Sequence, residues 1–236
     1  MGLGAGLATN CLLTVGLYGD SQWHGTGANA GLPTKSTGCR WPLWNLGQQA
    51  GINMMFVGSS SLGADADVRQ IYHDGIDGVT INSAQANLVA RTPIYPAEVI
   101  CYCLGTNDCN VNNQAAATSA SQIQTNVAAI WNLGQRSGVN KTKLIELCSP
   151  AATPSNNDKT AGLAALLPGV CTALQAQGMN VRFVDLFTAL GANTAGNSGA
   201  NFNPASPPHP NDTGYVLIAQ MLFGTKGSGL LCDYGR

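Results

Sequence analysis

Three short polar segments, far apart along the chain, carry residue types that acyl-transfer chemistry uses. The first ends in Ser21, the second contains Asn107 and the third contains His209. A serine hydroxyl is a weak nucleophile near neutral pH, so ester hydrolysis needs a base that takes its proton and donors that hold the developing oxyanion. An imidazole can act as the base, and a side-chain amide can act as a donor. The three residue types predict a serine hydrolase if the fold brings them together.

Each segment also has an ordinary structural explanation when it is taken alone. The tripeptide Gly-Asp-Ser that ends at Ser21 is common in plain turns, and an Asn-Asp pair such as Asn107-Asp108 often stabilises its own loop. A histidine in a loop is usually a solvated side chain, although Pro208 and Pro210 limit the backbone on either side of His209. The chemical interpretation therefore depends on the three segments acting as one group.

The elements that must position these segments follow an alternating order of strands and helices. Apolar runs predict five strands, at residues 12–18, 52–57, 98–104, 143–148 and 181–186. Periodic or capped stretches predict helices at residues 41–49, 83–91, 114–136, 161–177 and 214–223. This alternation predicts a flavodoxin-like three-layer α/β/α sandwich with a five-stranded parallel sheet. With 236 residues, the chain is expected to form one domain over residues 1–236.

Ligands of such sheets bind beyond the carboxyl ends of the strands. Ser21 follows the first predicted strand, Asn107 follows the third, and His209 precedes the last helix. The stretch 58–78 after the second strand has no apolar run, and we expect it to be a long functional loop. The segments are therefore predicted to meet at one rim of the sheet.

The three segments resemble the motifs of the GDSL or SGNH hydrolase superfamily, both in their order along the chain and in the elements that carry them. They read Gly19-Asp-Ser21, Gly105-x-Asn-Asp108 and His209-Pro-Asn. The resemblance runs from about residue 12 to residue 222. It implies a serine esterase that needs no metal and no cofactor. It implies that Ser21 is the nucleophile and His209 the general base. It also implies that Gly78 and Asn107 are oxyanion donors.

A further stretch is similar to the acetyl xylan esterase branch, a branch like carbohydrate esterase family 3. Phe56-Val-Gly-Ser59 is followed by the run His-Asp-Gly-Ile-Asp-Gly-Val-Thr-Ile at residues 73–81. Gly78 matches the second glycine of that run, and Gly58 and Gly75 are the alternatives. A glycine suits an oxyanion site because the donor is a backbone N–H and a side chain would crowd the substrate.

This likeness favours an acetylated polysaccharide as the substrate. The residues predicted to stack on or hydrogen-bond a sugar at the rim are Trp23, Tyr72 and His73. The alternative for Trp23 is that it merely covers the loop. A lipid or aryl esterase of the same fold is a second possible activity.

One position departs from the superfamily pattern. Members usually carry an aspartate three residues before the histidine, and here that position is Ser206. Losing the orienting carboxylate lowers turnover about 10⁴-fold in a serine protease triad. We therefore predict a Ser-His dyad in which a backbone carbonyl or Ser206 itself orients His209. Asp20 and Asp108 are expected to support their own loops, and a non-catalytic carbohydrate-binding module is the alternative function.

Composition argues against two kinds of partner. The formal net charge is -1 and charged residues make up 10% of the chain, so no basic field exists to bind nucleic acid. No apolar stretch reaches the roughly 20 residues that span a membrane. We expect a small ester as the partner, and the sequence does not indicate an oligomeric state.

The cysteine content predicts an oxidising compartment. The chain has eight cysteines, and an even number favours disulfides and a secreted protein. A virion or a larger assembly is the alternative location. Some of them, such as Cys101 and Cys103 in the third strand, could instead be small buried apolar residues. A zinc site is disfavoured because the chain has no CxxC pair. The eight are Cys11, Cys39, Cys101, Cys103, Cys109, Cys148, Cys171 and Cys232.

Overall fold

The computed structural model describes residues 12–28, 37–61, 71–150, 157–191, 200–206 and 208–224. Within these ranges the strands are β1 Leu13–Gly19, β2 Met54–Val57, β3 Ser60–Ser61, β4 Tyr72–Gly75, β5 Val99–Cys103, β6 Leu144–Cys148 and β7 Val181–Val184. The helices are α1 Ser21–His24, α2 Arg40–Gln49, α3 Ile81–Arg91, α4 Ala116–Arg136, α5 Asn157–Ala176, α6 Leu186–Ala189 and α7 Asp212–Phe223. A π-helical turn, Asn107–Val111, follows β5.

Strand β1 lies in the middle of the sheet and is paired along both edges. One edge pairs with β5, which continues to β6 and β7, and all of these pairs are parallel. The other edge pairs with β2 over its first half and with β4 at Tyr18 and Gly19. Strand β3 is antiparallel to β4. The predicted α/β fold class with a parallel sheet is confirmed.

The sheet has two more strands than the five we predicted. The five predicted strands correspond to β1, β2, β5, β6 and β7, whereas β3 and β4 fall in the stretch 58–78 that we interpreted as irregular. That interpretation is wrong for β4, because its sequence Tyr-His-Asp-Gly has no apolar run and the strand forms by pairing with the end of β1. Directly after β4, the Ile76 N–H donates to the Gly19 carbonyl at the end of β1, at 3.0 Å.

Alternating side chains on the buried strands divide the core into two layers. On β5, Val99, Cys101 and Cys103 face one layer, while Ile100 and Tyr102 face the other. The first layer packs against α2 and α7, and the second packs against α3, α4 and α5. The sheet is thus covered on both faces, as a parallel sheet requires.

The disulfide prediction is wrong for the described cysteines. Six cysteines are free and buried, and they are Cys39, Cys101, Cys103, Cys109, Cys148 and Cys171. They pack as small apolar residues inside the two core layers. Cys11 and Cys232 lie outside the described residues. The cysteine argument for secretion therefore loses most of its support, and a secreted location stays a prediction.

The five predicted helices correspond to α2, α3, α4, α5 and α7, and their ends differ from the prediction by at most four residues. The short helices α1 and α6 were not predicted. None of the helices in the described ranges is long and apolar enough to cross a membrane.

Candidate active site

The first site segment is a strand end followed at once by a single helical turn. Strand β1 ends at Gly19, and Asp20 caps α1 by accepting a hydrogen bond from the Gln22 N–H at 3.0 Å. Ser21 is the first residue of α1 and is almost covered, at 7% exposure of the residue. The turn is held against β5, because the Trp23 indole N–H donates to the Cys101 carbonyl at 2.8 Å. This anchoring gives Ser21 a fixed position at the carboxyl end of the central strand.

His209 meets Ser21 across this rim. The two atoms Nε2 of His209 and Oγ of Ser21 are 2.8 Å apart. The other ring nitrogen, Nδ1, lies 2.8 Å from the Ser206 carbonyl oxygen and 3.0 Å from the Ser206 hydroxyl. A carbonyl oxygen can only accept a hydrogen bond, so Nδ1 carries the proton. The lone pair of Nε2 therefore faces the Ser21 hydroxyl, which is the tautomer that a general base needs.

Hydrogen bonds between its own backbone groups hold the loop that carries His209. Asn203 N–H donates to the His209 carbonyl at 2.8 Å, and His209 N–H donates to the Ser206 carbonyl at 2.9 Å. The Asn203 side chain reaches across to the Gly27 carbonyl at 3.0 Å. Gly27 has a φ of 92°, and a Cβ at this residue would lie 2.9 Å from the Cβ of His209. Glycine is required there because the segment after α1 packs directly on the histidine.

The second segment, which contains Asn107, connects the loop after β5 to the turn that contains Gly78. The Asn107 amide donates to the Val79 carbonyl at 2.9 Å, and both carboxylate oxygens of Asp108 accept from the Ile81 N–H, at 3.2 and 3.0 Å. Since an amide nitrogen carries two N–H groups, the one not bonded to Val79 is left for a second acceptor. These hydrogen bonds hold the two candidate oxyanion donors, the Asn107 amide and the Gly78 turn, beside each other.

Three glycines were candidates for the backbone oxyanion donor, and their surroundings differ. Gly75 N–H donates to Nδ1 of His73 at 3.1 Å, so it is already used inside the protein. At Gly58 an added Cβ would lie 2.3 Å from the backbone of His73, which places this residue in a packed contact. Gly78 has a φ of 69°, and no described atom lies within 4 Å of the position of a Cβ. Gly78 is the one of the three that faces open space.

Two of the three predicted sugar-contacting residues are buried, so that prediction is wrong for them. Trp23 is 1% exposed and supports the nucleophile turn, and His73 is 1% exposed on β4. Burial, together with the positive charges of Arg40 and His24, lowers the pKa of His73 to about 2, so this ring is neutral. Tyr72 is 37% exposed and lies on the neighbouring position of β4. Burial could not be read from residue type alone, because both kinds of ring occur at rims and in cores.

Sequence reasoning missed a second polar cluster beside the site. His24 Nδ1 and the Thr26 hydroxyl each lie 2.8 Å from the same carboxylate oxygen of Asp77. Asp77 immediately precedes Gly78, and that adjacency was the only signal in the sequence. Among the described residues, no three His, Cys, Asp or Glu side chains gather where they could hold a metal ion.

Burial also shifts the pKa values of two carboxyl groups, those of Asp20 and Asp108. Burial raises the pKa of Asp20 from 3.8 to about 6, against the opposing effect of the Gln22 N–H hydrogen bond. Burial also raises the pKa of Asp108, although the Ile81 N–H bonds act in the opposite direction. Both carboxylates therefore serve as hydrogen-bond acceptors for backbone groups and are shielded from water.

A family model described as GDSL-like Lipase/Acylhydrolase matches residues 17–222 of the chain. The match contains all of the segments that form the rim, from the end of β1 to the start of α7. No curated protein sequence matches the chain.

Solved structures share the fold at low sequence identity. A family 3 carbohydrate esterase from Clostridium thermocellum is 20% identical, with a TM-score of 0.71 over 90% of this chain and 94% of that one. A carbohydrate esterase family 3 structure from Talaromyces cellulolyticus is 19% identical, with a TM-score of 0.69 over 90% and 95% of the two chains. An aryl esterase from M. smegmatis is 16% identical, with a TM-score of 0.61 over 90% and 99%. These likenesses show the fold.

Proposed function

The chain belongs to the GDSL-like lipase/acylhydrolase family, and from this premise we propose that it is a serine esterase that removes acetyl groups from a carbohydrate. One observation carries the proposal, namely the 2.8 Å contact between Ser21 Oγ and His209 Nε2 at the carboxyl end of the sheet. The Ser206 carbonyl gives the imidazole the tautomer in which Nε2 accepts the serine proton. A serine and a base in this geometry are the two groups that acyl transfer requires.

The proposed reaction proceeds through an acyl-enzyme. Ser21 Oγ attacks the ester carbonyl while its proton passes to Nε2 of His209, and a tetrahedral oxyanion forms. The C–O bond to the alcohol then breaks, and the imidazolium gives its proton to the leaving oxygen. Water, with His209 again acting as base, repeats the sequence on the acyl group and releases the acid and free Ser21.

Three donors are proposed for the oxyanion. They are the backbone N–H of Ser21, the backbone N–H of Gly78 and the side-chain amide of Asn107. One such donor contributes about 3–4 kcal/mol to catalysis in a well-studied serine protease. The hydrogen bonds from Asn107 to Val79 and from Ile81 to Asp108 support this role, because they fix the two loops before a substrate binds.

Two observations support an acetylated carbohydrate as the substrate. The run at residues 73–81 is similar to the acetyl xylan esterase branch, and the exposed ring of Tyr72 lies on the strand that leads into the Gly78 turn. An exposed aromatic ring can pack on the apolar face of a sugar. The substrate class rests on these two features.

The test is an ester panel on the purified protein. We expect turnover of p-nitrophenyl acetate that falls about 10⁴-fold or more in Ser21→Ala and in His209→Ala. Ser121→Ala is the matched control, because Ser121 is an exposed serine on α4, and it should keep the full rate. Turnover that survives both site substitutions would refute the proposed mechanism, and absence of turnover on every ester would favour a non-catalytic binding module.

The same panel tests the substrate class. Rates on p-nitrophenyl esters of increasing acyl length should fall steeply after acetate, and acetylated xylan should release acetate. A preference for long acyl chains, or activity on aryl esters without acetate release from xylan, would instead identify a lipid or aryl esterase.

A further inference from the structure

The three proposed oxyanion donors lie on three separate segments, and hydrogen bonds join these segments in pairs. Ser21 lies on α1, Gly78 on the turn after β4, and Asn107 on the π-helical turn after β5. The Asn107 amide joins the π-helical turn to the Gly78 turn, and Asp77 joins the Gly78 turn to α1. The third link, between α1 and the π-helical turn, therefore sets the place of the nucleophile relative to the amide donor.

This third link is a hydrogen bond between two buried side chains. Gln22 directly follows the nucleophile, and Thr106 directly precedes Asn107. Nε2 of Gln22 donates to the Thr106 hydroxyl oxygen at 3.3 Å. The two residues are 1% and 2% exposed, so water cannot easily replace either partner, and losing one is costly.

The other end of the Gln22 amide contacts the end of β5. Its oxygen Oε1 lies 4.0 Å from Sγ of Cys103, which is the last residue of β5. Cys103 is paired with Gly19 in the parallel ladder, and a Cβ on this glycine would lie 2.2 Å from the Cys103 carbonyl oxygen. The two strands therefore run side by side to their last residues, and the Gln22 side chain continues the contact beyond the end of the ladder.

We propose that Thr106 is a positioning residue, whose hydroxyl sets the place of the Asn107 amide relative to Ser21 through its hydrogen bond with Gln22. The inference rests on the proposed esterase function. Thr106 touches neither the substrate nor a reacting atom, and no bond to it forms or breaks in the reaction.

The chemistry of the proposed site depends on this spacing. The oxyanion forms on the carbon that is bonded to Ser21 Oγ, and a donor stabilises it only from about 2.7–3.1 Å away. A small displacement of the Asn107 amide from Ser21 would therefore weaken the transition state and leave the substrate complex almost unchanged. The loss should appear in kcat and not in KM.

The chain offers a matched pair of threonines for the test. Thr106→Val keeps the branched shape and removes the hydroxyl, whereas Thr106→Ser keeps the hydroxyl. Thr142→Val is the control, because Thr142 is 3% exposed and its hydroxyl donates to the Ala97 carbonyl at 3.0 Å. Both of these residues precede strands, so this hydrogen bond lies at the amino end of the sheet, away from the rim.

In Thr106→Val we expect kcat on p-nitrophenyl acetate to fall about tenfold with KM unchanged. Thr106→Ser should stay within about twofold of the wild type, because it retains the acceptor for Gln22. Urea unfolding should show a loss of stability in both Thr106→Val and Thr142→Val, but Thr142→Val should keep the wild-type kcat.

Double substitutions separate positioning from general support of the fold. In an Asn107→Ala background, Thr106→Val should change kcat by less than about twofold, since the amide that it positions is absent. Gln22→Met removes the donor of the same hydrogen bond at similar side-chain length, and Thr106→Val should add little to its effect. Gln22→Met, measured with and without Asn107→Ala, tests the same link if Thr106→Val fails to fold.

The outcomes also separate this inference from the esterase proposal. If the wild type hydrolyses esters through Ser21 while Thr106→Val lowers kcat by the same factor with and without the Asn107 amide, Thr106 has only a structural role. The inference is then overturned and the esterase proposal stands. An unchanged kcat in Thr106→Val, or a change in KM alone, would overturn it as well. If the wild type shows no Ser21-dependent hydrolysis, the proposed function fails and this inference fails with it.

Discussion

The two sides of the rim are built from different groups. On the nucleophile side, buried carboxylates hold backbone N–H groups, with Asp20 capping α1 and Asp108 accepting from Ile81 at the start of α3. On the base side, a backbone carbonyl and a hydroxyl hold the imidazole, both from Ser206. The carboxylates of this site therefore fix loops, and the orientation of His209 comes from the backbone.

The difference has a physical consequence for each side. A carboxylate buried against backbone N–H groups fixes a loop strongly, but it remains costly to charge. A carbonyl selects the tautomer of the histidine equally well and carries no net charge, so it gives less stabilisation to an imidazolium. We expect substitutions on the nucleophile side to alter rate and stability strongly, and substitutions at Ser206 to have small effects.

Outside the Ser21–His209 pair, the largest effect is expected at Asn107. In Asn107→Ala, loss of the amide donor should lower kcat about 10²- to 10³-fold with little change in KM, because the donor acts on the oxyanion of the transition state. Steady-state kinetics on p-nitrophenyl acetate measure this. Asn112→Ala, an exposed amide at the end of the same π-helical turn, is the control and should retain the wild-type rate. A loss confined to KM would show that Asn107 binds the ground state and is not an oxyanion donor.

An intermediate effect is expected at Asp20, and it concerns stability. Since the pKa of Asp20 is raised to about 6 in the folded protein, its stabilising contribution is full below about pH 4 and is lost as the pH rises through 6. Above that pH the buried charge costs up to about 3 kcal/mol. Asp20→Asn keeps an oxygen for the Gln22 N–H, so it should stabilise the fold at pH 7.5 and have a smaller effect at pH 4.5.

Urea unfolding at the two pH values measures the free energy of unfolding for this comparison. Asp185→Asn is the control, because Asp185 caps α6 in the same way at a partly exposed position, accepting from Thr188 N–H at 3.0 Å. An equal change at both pH values in Asp20→Asn would contradict the burial argument.

The smallest effect is expected at Ser206. Ser206→Ala removes the hydroxyl that lies 3.0 Å from Nδ1 of His209 but keeps the carbonyl at 2.8 Å. The rate should fall by less than about fivefold, the value of one neutral hydrogen bond. A fall of a hundredfold or more would mean that the Ser206 hydroxyl orients the histidine. The backbone carbonyl would then not be the group that distinguishes the base side from the nucleophile side.

The sequence predicted the parts of the molecule that depend on strong local patterns. Apolar runs located five of the seven described strands, and the order of the motifs placed Ser21, Asn107 and His209 at the ends of elements. Strand β4 was not predicted, because Tyr72–Gly75 has no apolar pattern and forms only where β1 provides an edge. The bounds of α4 and α7 were close because both helices have clear periodicity or a capping residue.

Other features depend on contacts that a single segment does not encode. Trp23 and His73 were expected to face a substrate, but the direction of each ring is set by packing beneath the rim. The hydrogen bonds that Asp77 accepts come from His24 and Thr26, about 50 residues earlier in the chain. For the orientation of His209 the sequence left a carbonyl or the Ser206 hydroxyl open, and the geometry places both within hydrogen-bond distance.

The most direct test of the central claim is covalent capture of the nucleophile. A p-nitrophenyl phosphonate ester should form a bond between phosphorus and Ser21 Oγ and release p-nitrophenolate, and intact mass with peptide mapping should show one adduct at Ser21. The adduct should be absent in Ser21→Ala and should form far more slowly in His209→Ala. A wild-type protein that stays unlabelled, or one labelled at another residue, would contradict the assignment of Ser21 and His209 as a catalytic pair.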